Sequence, residues 1–240
     1  TPGRAWQRYL YGVGIGLLFS VPWSLGPLYN TPELTLLVMN ALLWPASLKG
    51  RYSLKLTRTT RTAADTKEYH FASTTPLPFT TGQYLEWTLP HRHPDTRGVR
   101  RYFTISSAPS DKEIGLTVRH SKPGSTFKRA LESMQAGDII YVTARAGDFL
   151  LPPELSDQRV VCIAGGIGVT PFISYARTII AKQESVDITL FAFNPTPADR
   201  SHESVFKEAE RFGFKTVDVI TEPPATWTGE TGFFTEELLK

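Results

Sequence analysis

RRYFTISSAPS, residues 100–110, places two arginines, two aromatic rings and a run of small hydroxyl side chains in one strand-like stretch. Side chains alternate along a β-strand, so Arg101 and Phe103 point to one face and Tyr102 and Thr104 to the other, unless a twist or bulge re-aims them. A guanidinium can grip a phosphate through two parallel hydrogen bonds. An aromatic neighbour can cover a flat conjugated ring, and a hydroxyl can bond to a ring nitrogen. The stretch is therefore a candidate holder for a ligand that combines all three features.

Five further β-rich stretches flank it: SLKLTRTT, KEYHFAST, QYLEWTL, EIGLTVRH and DIIYVTA, separated by Pro, Gly and Asp turns. Six short strands at this spacing predict a small antiparallel β-barrel over residues 52–154. One helical segment, STFKRALESM, interrupts them, with Phe127, Ala130, Leu131 and Met134 on one face at a 3.6-residue period. Ser125 can cap its start, and the free N–H groups beside Gly124 form a natural anion site. Phosphate grip, ring cover and a polar ring contact together describe a flavin nucleotide.

Residues 155–240 read differently. RVVCIAGGIGVTPFISYARTIIAK, residues 159–182, is an apolar strand, a glycine-rich turn and an amphipathic helix, with Thr170 placed to cap and Pro171 as first helical residue. Without Cβ atoms at Gly165, Gly166 and Gly168, a diphosphate can approach the backbone N–H groups at the positive end of the helix. A second strand, DITLFAFN, a helix around His202 to Arg211 and a third strand, KTVDVIT, continue the alternation and imply a parallel sheet.

On these motifs the chain resembles the ferredoxin–NADP reductase family of flavoproteins, whose flavin motif is Arg-x-Tyr/Phe-Ser/Thr and here reads Arg101-Tyr102-Phe103-Thr104. The resemblance implies that Arg101 binds the FAD diphosphate and that Phe103 packs on the isoalloxazine. Thr104 would act catalytically, by a hydrogen bond near the reactive nitrogen. Gly124-Ser125-Thr126 is similar to the family's second diphosphate grip, and Val118 joins Tyr102 in the implied flavin set. TTGQYLEW resembles the PGQY strand opening with Thr81 in place of Pro, and ARAGDFLLP resembles GPxGxF with Ala144 and Arg145 in place of Gly-Pro. Gly166 to Pro171 follows the G-x-G-x-x-P form that the family uses for NAD(P)H. WTGETGFFTEELLK resembles the stretch that precedes the family's Cys-Gly-Pro strand. The implied sheet is thus expected to lack that strand and the final helix, leaving apolar edges uncovered. Which nicotinamide cofactor is used stays open: Asn194 ends the second strand where an acidic residue would suit NAD, and Arg200 follows either as a solvated side chain or as a partner for a 2′-phosphate.

All of the formal net charge of +3 lies in residues 1–51, where Arg4, Arg8, Lys49 and Arg51 face a single Glu33. A neutral remainder without a basic stripe argues against a nucleic-acid surface. Cys162 is the only cysteine, which excludes an intrachain disulfide and a cysteine-held iron–sulfur cluster; it reads as a small core residue. YLYGVGIGLLFSVPWSL and LTLLVMNALLWPASL are uncharged runs parted by a Gly/Pro/Asn loop, expected as a helical, transmembrane hairpin with both ends cytoplasmic. That segment has no histidine to ligate haem. Thr1 is no initiator Met, and the opening residues read as the middle of something longer.

His91 and His93 read as a solvated loop, His70, His120 and His202 as scattered, and Lys128 and Arg129 as facing water. No G-x-S-x-G elbow offers hydrolysis a nucleophile. The expected architecture is therefore multi-domain α+β: hairpin, FAD barrel and an incomplete NAD(P) α/β domain. The expected activity is a membrane-held reductase passing a hydride from NAD(P)H to FAD, and electrons on to a redox protein, quinone or membrane redox centre. The alternative from the same residues is a non-catalytic module that binds a nucleotide or a partner.

Overall fold

Apolar residues at every second position build the first sheet. In β1 (Tyr52–Ala63) Leu54 and Leu56 are buried while Ser53 and Lys55 face water. The computed structural model describes residues 51–150 and 158–235. The expected membrane hairpin therefore lies outside the described residues, as do 151–157 at the expected domain boundary. No helix among the described residues is long and apolar enough to cross a membrane.

The remaining strands of this sheet are β2 (Thr66–Ser73), β3 (Tyr84–Thr88), β4 (Arg100–Thr104), β5 (Ile114–Arg119) and β6 (Ile139–Ala146), one for each predicted stretch. They pair antiparallel in the order β4-β3-β6-β1-β2-β5, and a bridge between Ile105 and Leu116 joins the two end strands. Trp87, Tyr69, Phe71, Phe127 and Ile140 fill the interior. Trp87 donates its indole N–H to the Phe103 carbonyl at 3.2 Å, so the largest core side chain also fixes β4. The helix α1 (Thr126–Glu132) plugs one end with Phe127 and Leu131, and the Ser125 hydroxyl accepts from Lys128 N at 3.3 Å as its cap.

A second sheet is parallel: β7 (Arg159–Gly165), β8 (Asp187–Asn194), β9 (Phe214–Ile220) and the short β10 (Glu230–Thr231), in the order β10-β9-β8-β7. Among the described residues β7 lies at the sheet edge, with Val161 and Ile163 about half exposed. Helices α2 (Thr170–Lys182) and α3 (Glu203–Ala209) connect the strands, and Ile173, Ala176, Ile179 and Ala209 bury against the sheet.

Strand β2 departs from simple alternation because both of its faces are covered. Tyr69 and Phe71 enter the barrel, while Glu68 and His70 are buried on the opposite side, where the parallel-sheet part packs. Glu68 receives Arg177 Nη1 at 2.6 Å and Nη2 at 2.8 Å, the Ser106 hydroxyl at 2.8 Å and His202 Nε2 at 3.1 Å. Four donors fill the acceptor capacity of a carboxylate. His70 stands beside them with Nε2 at 3.4 Å from Glu68 and Nδ1 at 3.2 Å from Arg58. A guanidinium only donates, so Nδ1 accepts and the proton sits on Nε2; burial holds this imidazole below its usual range. Around the knot, Ser174 donates to the Ser107 carbonyl at 2.7 Å, the Thr81 and Thr178 hydroxyls meet at 2.9 Å, and Ala64 N donates to Ala198 O at 3.0 Å.

Burial raises the Glu68 pKa, and hydrogen bonds and charge from His202 and Arg177 more than offset it, leaving the carboxyl far below its ordinary value of 4.5. A depressed folded pKa contributes stability that is present above the unfolded value and is lost as pH falls below it. Between pH 5 and 3.5 the wild type is therefore expected to lose stability more steeply than Glu68→Gln, by up to about 1.4 kcal/mol per pH unit. Urea unfolding of both proteins at the two pH values measures this, and parallel losses would refute it.

Candidate functional site

Strand β4 presents its residues in the alternation read from the sequence: Arg100 and Tyr102 are exposed, Arg101 and Phe103 half-buried. Thr104 is half-buried as well, where the strand turns inward. Phe103 lies 5.8 Å from Phe127 by ring centroids, and the Arg101 guanidinium lies over the same Phe127 ring at 5.5 Å. Tyr102 stands on the outer face with its ring edge-on to Tyr84.

Arg101 is held from several sides. Its Nη1 donates to the carbonyls of Arg97, Gly98 and Arg100, and its Nη2 forks onto Asp95 at 2.7 and 2.9 Å. Asp95 N donates to the Thr126 hydroxyl at 3.0 Å, which ties the arginine loop to the start of α1. The structure thus brings Arg101 and the Gly124-Ser125-Thr126 turn together, and the arginine's present partner is a carboxylate that offers two oxygens as a phosphate does. Arg101 Nε is buried without a partner. The hydrogen bond from Arg101 is foremost among the interactions that hold Asp95 below the usual carboxylate range.

Two readings of this region need correction. Val118 is buried in the barrel core, because the inward face of β5 falls on Leu116 and Val118, so its side chain is not offered to a ligand. Lys128 does not face water: its ammonium donates to the Arg119 carbonyl at 2.7 Å, and burial lowers its pKa.

In the parallel sheet, Gly165 ends β7 and Gly166–Val169 forms one turn of 3-10 helix that runs directly into α2. Thr170 already has helical backbone angles and donates its hydroxyl to the Ile167 carbonyl at 2.6 Å. The predicted cap at Thr170 is therefore one residue late; Val169 holds the cap position and Pro171 is the second helical residue. Gly166 takes φ +50, which disfavours a side chain, and a Cβ there would lie 3.5 Å from Arg119 Nη1. Cβ atoms at Gly165 and Gly168 would meet open space, so packing does not require glycine at either position and the space over the turn is free.

Arg119, not singled out in the sequence, reaches from β5 to this turn and pairs with Asp199 at 3.1 Å. Beyond the turn, a cavity of about 290 Å³ is lined by Val169, Asn194, Arg200, Ser204, Thr216 and Asp218. Arg200 is not a solvated side chain: it pairs with Glu203 and Asp218, each at 3.1 Å, and stacks over Trp227. Two carboxylates thus engage its guanidinium at the cavity wall. Cys162 is buried in β7, and burial pushes its thiol up to about 11, so it is an inert core residue at neutral pH.

His70 and His202 are not scattered, since both converge on Glu68. His202 holds φ +60 to do so and shares a 2.7 Å hydrogen bond with the Ser201 hydroxyl. The residues after Phe103 serve the same contact: the Ser106 hydroxyl donates to Glu68 and the Ser107 carbonyl accepts from Ser174, while the Ser107 hydroxyl accepts from Gly115 N within the barrel.

Two family models match the chain, an oxidoreductase FAD-binding domain over residues 53–150 and an oxidoreductase NAD-binding domain over residues 162–240. The reductase subunit of an aromatic O-demethylase from Amycolatopsis sp. is 33% identical over 168 residues, which are 68% of this chain and 49% of that protein. A flavohemoprotein from Candida albicans is 30% identical over 178 residues, 70% of this chain and 43% of that protein. The chain spans about half the length of the curated relatives it matches. The crystal structure of an Amycolatopsis cytochrome P450 reductase superposes with a TM-score of 0.68 at 28% identity, covering 79% of this chain and 57% of that one.

Proposed function

Because the chain belongs to the ferredoxin reductase-like family of FAD- and NAD-binding oxidoreductases, we propose that it is the reductase module of an electron-transfer system. FAD, when bound, supplies the exchange between a two-electron donor and a one-electron acceptor, taking a hydride from NAD(P)H and releasing electrons singly. The observation that carries this reading is the meeting of Arg101 with the turn that starts α1. A guanidinium with a buried spare nitrogen, a capped helix start and a half-buried aromatic on one face fit a flavin nucleotide.

The chain's own residues do the positioning. Arg101 and Gly124-Ser125-Thr126 would hold the FAD diphosphate, Phe103 and the outward Tyr102 would offer aromatic surface, and Thr104 would supply a hydroxyl to the ring. The turn Gly165, Gly166, Gly168 with Thr170 and Pro171 receives the nicotinamide nucleotide, and Arg119 adds a cation beside it. The electron acceptor is a redox protein, a quinone or a membrane redox centre; among the relatives by name is the reductase subunit of a demethylase. The two uncharged runs within residues 1–51 support a location at a membrane, with the nucleotide-binding parts on its cytoplasmic side.

Purified protein is expected to be yellow and to be bleached by NADH or NADPH without oxygen. A flavin-loaded protein indifferent to both would overturn the reductase reading in favour of a binding module. Arg101→Ala is expected to weaken FAD binding roughly 10- to 100-fold, the worth of charge-assisted hydrogen bonds, while nucleotide affinity stays within about twofold. Equal losses in the two titrations would refute the assignment of Arg101. Cells expressing the whole chain should hold it in the membrane fraction, and recovery in the soluble fraction would exclude the tether.

A further inference from the structure

Glu68 touches neither proposed nucleotide position, yet it is tied to both elements that carry them. On the barrel side, Ser106 follows Thr104 by two residues and donates to Glu68, so the strand bearing Arg101, Phe103 and Thr104 is anchored at its end by this carboxylate. On the other side, Arg177 lies on α2, the helix that starts at the glycine turn. Seven residues separate Arg177 from Thr170, about 10 Å along a rigid helix, so a tilt at Arg177 is transmitted to the turn. Arg177 also donates to the Ser106 carbonyl at 3.1 Å, closing a three-membered knot of Glu68, Ser106 and Arg177. His202 adds a second arm from the residue before α3, whose first turn lines the cavity beyond the glycine turn. A cavity of about 400 Å³ lined by Arg58, His70, Arg177 and His202 adjoins the knot and leaves a loosened arm room to move.

We infer that Glu68 is a positioning residue for hydride transfer: through Ser106, Arg177 and His202 it fixes the angle at which the nucleotide turn faces the flavin strand. The inference rests on the reductase reading above. Hydride transfer needs the reacting atoms at about 3 to 3.5 Å, and a misplacement of 1 Å from a distant change can slow such a step by about 100-fold. Filling the Glu68 acceptor sites with donors from both sides makes the contact directional, because each hydrogen bond weakens steeply off its line.

The test uses FAD-loaded whole chain in anaerobic stopped-flow. Glu68→Gln keeps the shape and removes the charge. The expected result is a fall of about 10- to 100-fold in the flavin-bleaching rate at saturating nucleotide, with the dissociation constants of FAD and nucleotide within about threefold of wild type. Arg177→Lys keeps the charge and loses the fork, and is expected to be several-fold slow; it serves alone if Glu68→Gln does not fold. The double variant should be no slower than Glu68→Gln. A folded, FAD-loaded variant that bleaches within twofold of wild type would overturn the inference, as would a rate loss matched by an equal loss of FAD. Failure of the wild type itself to bleach would instead strike the reductase reading on which this rests.

Discussion

A carboxylate buried with almost no exposure is tolerated only where donors replace its water, and the whole described structure is arranged around one that meets this condition. Stripping water from Glu68 costs several kcal/mol, and removing one partner of such a pair typically costs about 3–5 kcal/mol. Its donors come from the barrel at Ser106 and from the parallel-sheet part at Arg177 and His202, so neither part alone can satisfy it. The two are therefore held together by a polar demand that only their joint geometry answers. Leaving either Arg177 or Glu68 unmatched would strand a charge among buried atoms.

The two proposed nucleotide positions follow a different logic, in which the protein holds cationic groups in place before a ligand arrives. Arg101 is anchored by three carbonyls and the Asp95 fork, and sits on the Phe127 ring, so little side-chain freedom remains to be lost. Arg119 is similarly held by Asp199 beside Gly166. In both cases a carboxylate orients the guanidinium, and Arg200 shows the limit of that device, since Glu203 and Asp218 together match it fully.

How much was legible in the sequence depends on the range of the interaction. The six barrel strands, the capped helix after Ser125 and the strand–turn–helix at Gly165 are written in local periods and turn residues, and they stand where those patterns place them. The face shared by Arg101 and Phe103 is legible for the same reason. The knot was not. In the alternation of KEYHFAST, Glu68 and His70 fall on the polar face, which in a lone sheet is the solvated one. The donors to Glu68 lie 38, 109 and 134 residues away, beyond any local pattern. Thr170 misled for a subtler reason: a residue that can cap does so only where the helix starts, and the glycine turn is itself helical.

The composition of the contact between the two parts bears on its purpose. Apolar burial is non-directional and tolerates sliding, and the contact has some in Phe149 against Tyr175 and Phe172; its directional ties are hydroxyls, backbone carbonyls and ion pairs: Ser174 to Ser107, Thr81 to Thr178, Arg119 to Asp199 and the Glu68 knot. A polar contact of this kind is a poor choice for adhesion alone, since each bond nets only about 1 kcal/mol after water is displaced. It is a good choice where a shift of one ångström matters, because several short bonds with separate directions admit one docking pose. A fold that must present two cofactors face to face has reason to join its halves by such bonds.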